Sequence, residues 1–140
     1  KDEQSAQWSW KRGNGDSVLA VVTKGVSVSY PIDFQGYKSD SIFTKGNWLG
    51  GESFVAYTGT GNAFRLTGLF PETQYRIDLF EFNGGGASAN YLFTQTVGNS
   101  RTFTTLATEP LENPDGVKCS LATATSAVIS FPPTSQEAKG

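Results

Sequence analysis

The stretch LTGLFPETQYRIDLFEFNGGG, residues 66–86, decides how the rest of the chain is read. From Gln74 to Phe82 the apolar side chains follow a period of two, which is the rhythm of a β-strand and not of a helix. Tyr75, Ile77 and Leu79 share one face, and the run ends in the glycine-rich turn NGGGASAN. Glu81 falls in phase with Tyr75, Ile77 and Leu79, so it points toward the core. A buried carboxylate needs a partner, or its pKa rises. Arg12 and Arg101 are the two cations placed to supply one, bridging this strand to a neighbouring strand or loop. We read Glu81 as half of a structural ion pair rather than as a catalytic acid, because a glycosidase generally needs two carboxylates flanking the scissile bond.

Outward from this strand the same period recurs. SAQWSW (5–10) puts Ala6, Trp8 and Trp10 on one face, and RGNGD (12–16) follows as a turn. SVLAVV (17–22) is apolar on both faces, as expected of a central strand covered on both sides. Residues 24–52 are broken by Pro31, Gly36, Gly46, Gly50 and Gly51; we read them as a long insertion whose Ile32, Phe34, Ile42 and Phe43 cover a sheet face or edge. SFVAYTG (53–59) and NAFRLTGL (62–69) read as a hairpin across TGTGN. YLFTQTV (91–97) is a short strand or loop, and SRTFTTL (100–106) closes the set. ATEPLENPDG (107–116) has the two prolines and acidic residues of a linker, after which VKCSLATATSAVISFPP resumes strand patterning. Short strands at this spacing indicate an all-β sandwich.

Composition excludes several chemistries. The chain of 140 residues has no His and one Cys, so neither a His-based catalytic pair nor a Cys/His zinc site can be assembled from it. A net charge of −2 with scattered cations offers no stripe for nucleic-acid phosphates. No apolar run reaches the roughly 18 residues needed to span a bilayer, so no membrane insertion is expected. With no signal peptide visible, we read the chain as a mature or interior segment.

Residues 66–86 resemble the corner between strands E and F of a fibronectin type III domain, which reads L-x-G-L-x-P-x-T-x-Y before alternating apolar residues and an Asn-Gly turn; Leu66, Gly68, Leu69, Pro71, Thr73 and Tyr75 match it. The resemblance implies a tyrosine corner, in which Tyr75 reaches back to upstream backbone while Pro71 fixes the bend and Leu69 plugs the core beneath it. TSAVISFPP (125–133) resembles that family's strand B with Phe131 in place of the usual Trp, and SAQWSW matches the same strand with Trp10 at the core Trp position. These echoes lie 126 − 5 = 121 positions apart. The resemblance therefore implies a fibronectin type III or immunoglobulin-like sandwich over residues 1–106 with a long C–E insertion, a linker at 107–113, and strands A and B of a following module, or a strand completing the first, in 114–140. The first domain is expected to lack its own strand A, leaving an edge beside strand B. That strand either precedes Lys1 in a longer parent or is supplied by Val117–Leu121, within the chain or by exchange in a homo-oligomer.

Trp8 and Trp10 share the face of a core strand, and we read them as packing rather than as a sugar-stacking pair. Trp48, among glycines, with Tyr37, Tyr57 and Tyr91 near turns, forms the candidate glycan platform; the competing reading is that these rings cap the sandwich ends. Asp16, Asp33 and Asp40 lack calcium-loop spacing and read as turn caps. Cys119 alternates with Val117 and Leu121, as a buried small hydrophobe would. No catalytic residue, cofactor or metal site is assigned. The long-insert form of the family is common in secreted multidomain surface proteins of Bacteroidetes-type bacteria. The resemblance thus implies a secreted or cell-surface, non-catalytic spacer or adhesion module whose partners are neighbouring domains and a surface glycan or protein. Two alternatives are a carbohydrate-binding module and an accessory lobe of a larger secreted hydrolase.

Overall fold

The computed structural model describes residues 2–122 and 127–130. The chain divides into two compact units, Lys1–Thr108 and Glu109–Gly140.

The first unit is an all-β, antiparallel sandwich. Its strands are β1 (Ala6–Ser9), β2 (Ser17–Lys24), β3 (Trp48–Gly50), β4 (Ser53–Gly59), β5 (Ala63–Leu66), β6 (Gln74–Asn83), β7 (Asn90–Tyr91) and β8 (Ser100–Thr104). A six-stranded sheet runs β3-β4-β2-β6, and the far edge of β6 is shared by β8, at Gln74–Asp78, and β7, at Phe82–Asn83. The second layer is a two-stranded sheet of β1 and β5, in register Ala6 to Leu66 and Trp8 to Phe64.

The hydrophobic runs explain this order. β2 is central, flanked by β4 and β6, and Val18 to Val22 are all buried, as a strand covered on both faces requires. Its even-numbered side chains, Ala20 and Val22, enter the core between the sheets with Ala6, Leu66, Tyr75, Ile77 and Phe103. Its odd-numbered ones, Leu19 and Val21, enter a second core on the outer face with Val55, Phe80, Ala89 and Tyr91.

Segment 25–47 supplies part of the cover for that outer face, but through different residues from those expected. Val28 and Tyr37 pack on the second core and Tyr30 meets Phe80 edge-on at 5.3 Å, whereas Ile32, Phe34 and Ile42 are exposed. Phe43 alone of the four expected side chains is buried, and it enters the inter-sheet core against Phe54 and Tyr75. The reason is local: Phe43 N–H donates to Thr67 O and Thr67 N–H to Ser41 O, which draws residues 41–43 across to the end of β5.

A second correction concerns β4 and β5. They are not a hairpin, because β4 pairs with β2 and β3 while β5 pairs with β1. The TGTGN segment, with Gly59 at φ 155°, carries the chain from one layer to the other.

In the second unit β9 (Lys118–Ala122) pairs antiparallel with β10 (Ala127–Ser130). Cys119 is exposed rather than buried, since a two-stranded ribbon provides little to bury against. Thr125, Ser126 and Phe131, which carry most of the strand B resemblance at this end, lie outside the described residues. No helix among those residues is long and apolar enough to cross a membrane.

Candidate functional site

Three places carry the side chains that the sequence singles out. The first is the corner between β5 and β6. Gly68 turns the chain with φ 73°, a conformation that favours glycine. Leu69 is buried below it, and the Phe70 N–H donates to the Tyr75 hydroxyl at 2.9 Å. Tyr75 is fully enclosed, and this burial pushes its phenol above the ordinary value. Thr105, just past β8, was not anticipated: its hydroxyl donates to Phe70 O at 2.6 Å and accepts from Thr73 N–H at 3.0 Å. Pro71 sits at the bend, with its carbonyl accepting from the Thr73 hydroxyl at 2.7 Å. The corner is therefore tied to both β6 and the segment after β8.

The second place is Glu81, near the end of β6. Its carboxylate accepts from Arg12 Nε and Arg12 Nη2, each at 2.8 Å, and from the Gly13 N–H at 2.7 Å. Arg12 also donates to Thr60 O and Gly15 O, so one guanidinium joins the β1–β2 turn, the β4–β5 crossover and β6. Gly13 and Gly15 are needed here, because a Cβ at Gly15 would lie 2.7 Å from the Glu81 carboxylate. The Arg12 hydrogen bonds hold the Glu81 carboxyl below the usual carboxylate range, against the opposing effect of partial burial. A carboxyl held that way is ionised near neutral pH and has no proton to donate as a general acid. Arg101, the other cation considered, sits exposed on β8 in register with Ile77.

A second ion pair went unnoticed. Asp78 is fully buried and receives Arg76 Nη2 at 2.9 Å and Arg76 Nε at 3.0 and 3.1 Å. The signal was present: Arg76, Asp78, Phe80 and Phe82 share one face of β6, and a carboxylate beside two phenylalanines calls for a cation two residues away.

The third place is the aromatic set, and the structure does not assemble it. Tyr57 packs on Trp10 and Phe64 in the inter-sheet core, with its hydroxyl accepting from Gly61 N–H. Tyr37 and Tyr91 belong to the other core, 6.1 Å apart. The Tyr91 hydroxyl donates to Gln35 O, and burial pushes its pKa up to about 12. These three phenols are structural. Trp48 alone is largely exposed, at 65 %, its indole N–H donating to Gly51 O at 2.9 Å.

The aspartates act locally. Asp16, Asp33 and Asp40 accept from the N–H groups of Gly84, Tyr91 and Ile42. No cluster of three or more His, Cys, Asp or Glu side chains occurs among the described residues. Trp8 and Trp10 line one wall of a groove of about 460 Å³ between β1 and residues 97–101, with Ile77 and Leu79 of β6 exposed to it. No family model, curated protein or solved structure matches the chain.

Proposed function

We propose that the first unit is a fibronectin type III-like module acting as a non-catalytic spacer and adhesion element of a bacterial secreted or cell-surface protein. The observation that carries this reading is the corner, where the Tyr75 hydroxyl receives the Phe70 amide over a buried Leu69. The strand pairings support it. In family terms β1 and β5 correspond to strands B and E, and β2, β6 and β8 to C, F and G; segment 25–47 then falls within the C–E insertion. The mechanism is mechanical. Arg12–Glu81, Tyr75–Phe70 and the Thr105 hydroxyl each bridge elements distant in sequence, so the sandwich resists partial opening and holds its neighbours at a fixed distance.

Single-molecule stretching tests this. The first unit should rupture in one cooperative event releasing about 35 nm of chain, given at most ~3.6 Å per residue. Gradual extension without a rupture peak would contradict a rigid spacer.

The second reading, carbohydrate binding, has Trp48 as its one supporting observation, because an exposed indole fixed by its own hydrogen bond can stack on a sugar ring. Saturable quenching of tryptophan fluorescence in a glycan screen, lost in Trp48→Ala, would favour it.

A further inference from the structure

The two layers of the sandwich are unequal. A six-stranded sheet faces a two-stranded one, so part of its inner face is left without a strand above it. That gap is the groove of about 460 Å³ beside β1. Trp8, Trp10, Ile77 and Leu79 line it, together with Val97, which is 97 % exposed.

Three features of the groove match one kind of occupant. The first is the backbone of β1. Trp10 N–H donates to Asn62 O, which directs the even-numbered residues of the strand toward β5. By alternation Gln7 and Ser9 direct their N–H and C=O groups to the opposite edge, where no strand pairs among the described residues. An edge of this kind accepts another strand. The second is a pair of unmet donors: the indole N–H groups of Trp8 and Trp10 are buried without an acceptor. Buried N–H groups of native proteins nearly always have a partner. The third is charge. Lys11 and Arg101 line the groove with no acidic residue beside them, and neither makes an ion pair among the described residues.

We propose that this groove receives an extended segment of another polypeptide, about five residues long. The segment adds as a strand to the Gln7–Ser9 edge of β1. Its apolar side chains, at alternate positions, fill the space over Ile77 and Leu79, a Ser or Thr hydroxyl between them meets the indoles, and a flanking carboxylate meets Lys11 and Arg101. Backbone pairing provides affinity and the alternating pockets provide selectivity, as in other strand-addition sites. This goes beyond the spacer reading and does not depend on it, since a module can both hold distance and capture a strand.

The test uses the full chain and a blocked peptide that alternates Val and Thr between two terminal Glu residues. Titration should give one peptide per chain, a blue shift of tryptophan emission, and a monomeric particle in sedimentation before and after binding. N-methylating alternate peptide amides should weaken binding at least tenfold. Val97→Asp, at an exposed position that the fold does not need, should do the same by placing a negative charge beside the peptide. Arg101→Glu should reduce affinity about fivefold, with weakened salt dependence. Two results would overturn the proposal. One is a chain that ignores the peptide and dimerises with concentration, which would make a second copy the occupant. The other is a monomer that binds neither, or that binds the N-methylated peptide equally well.

Discussion

The amide of Phe70 donates to the hydroxyl of Tyr75 at 2.9 Å, and Tyr75 is fully enclosed between the sheets. This bond fixes the bend between β5 and β6, and so sets where the chain leaves the small sheet and enters the large one. Tyr75→Phe keeps the ring and its stacking on Phe103 but leaves the Phe70 N–H without that acceptor. The expected cost is about 2 kcal/mol, which lowers Tm by about 10 °C in a unit of this size. Calorimetry of the variant checks it, and an unchanged Tm would remove the bond from the account of stability.

The Arg12–Glu81 pair predicts an acid sensitivity. The Glu81 carboxyl lies below its ordinary value of 4.5 in the folded chain. Its contribution is therefore complete above that unfolded-state value and is lost as pH falls through the lower folded value. Glu81→Gln should lose about 2 kcal/mol at pH 7 and should flatten the fall in stability below pH 4.5. Denaturant midpoints measured across pH 2–7 separate the two slopes.

Arg76 and Asp78 should respond unequally to substitution. Asp78 has no exposed surface, whereas the Arg76 side chain is 27 % exposed. Arg76→Gln strands a buried carboxylate and should cost about 3–5 kcal/mol. Asp78→Asn leaves a cation able to turn toward water and should cost less, about 1–2 kcal/mol. Equal losses in chemical denaturation would mean that Asp78 has another route to solvation.

Gly46 is fixed by a close approach of backbone. A Cβ there would collide with the Val55 carbonyl oxygen and lie 3.0 Å from the Asp40 amide, where segment 38–47 crosses β4. Gly46→Ala should destabilise by about 3 kcal/mol or more, in the range of severe overpacking. Gly85→Ala is the control: a Cβ there meets nothing within 4 Å, so the change should stay within about 0.5 kcal/mol.

What was legible in the sequence followed from alternation. The period of two located every long strand of the first unit, and the doubly apolar run at 17–22 placed β2 at the centre of its sheet. The phase of Glu81 directed attention to Arg12. What escaped was pairing across distance. TGTGN has the composition of a hairpin turn, yet the choice between hairpin and crossover depends on which sheet has room for Phe64 and Leu66. Ile32, Phe34 and Ile42 are as apolar as Phe43, and only the hydrogen bonds of Thr67 decide which of the four enters the core. Tyr37, Tyr57 and Tyr91 lie near turns in sequence, but two separate cores claim them. Thr105 carried no signal at all, because a hydroxyl after a strand becomes a corner bolt only when the corner folds over it.

Residue-resolved amide hydrogen exchange tests the central claim most directly. If Tyr75 holds the bend closed, the Phe70 amide should exchange as slowly as the amides of Leu19 to Val22 in β2, and should lose that protection in Tyr75→Phe while β2 keeps its own. A Phe70 amide that exchanges at the rate of an open loop in the parent chain, with β2 still protected, would mean that the two sheets are held together without the tyrosine.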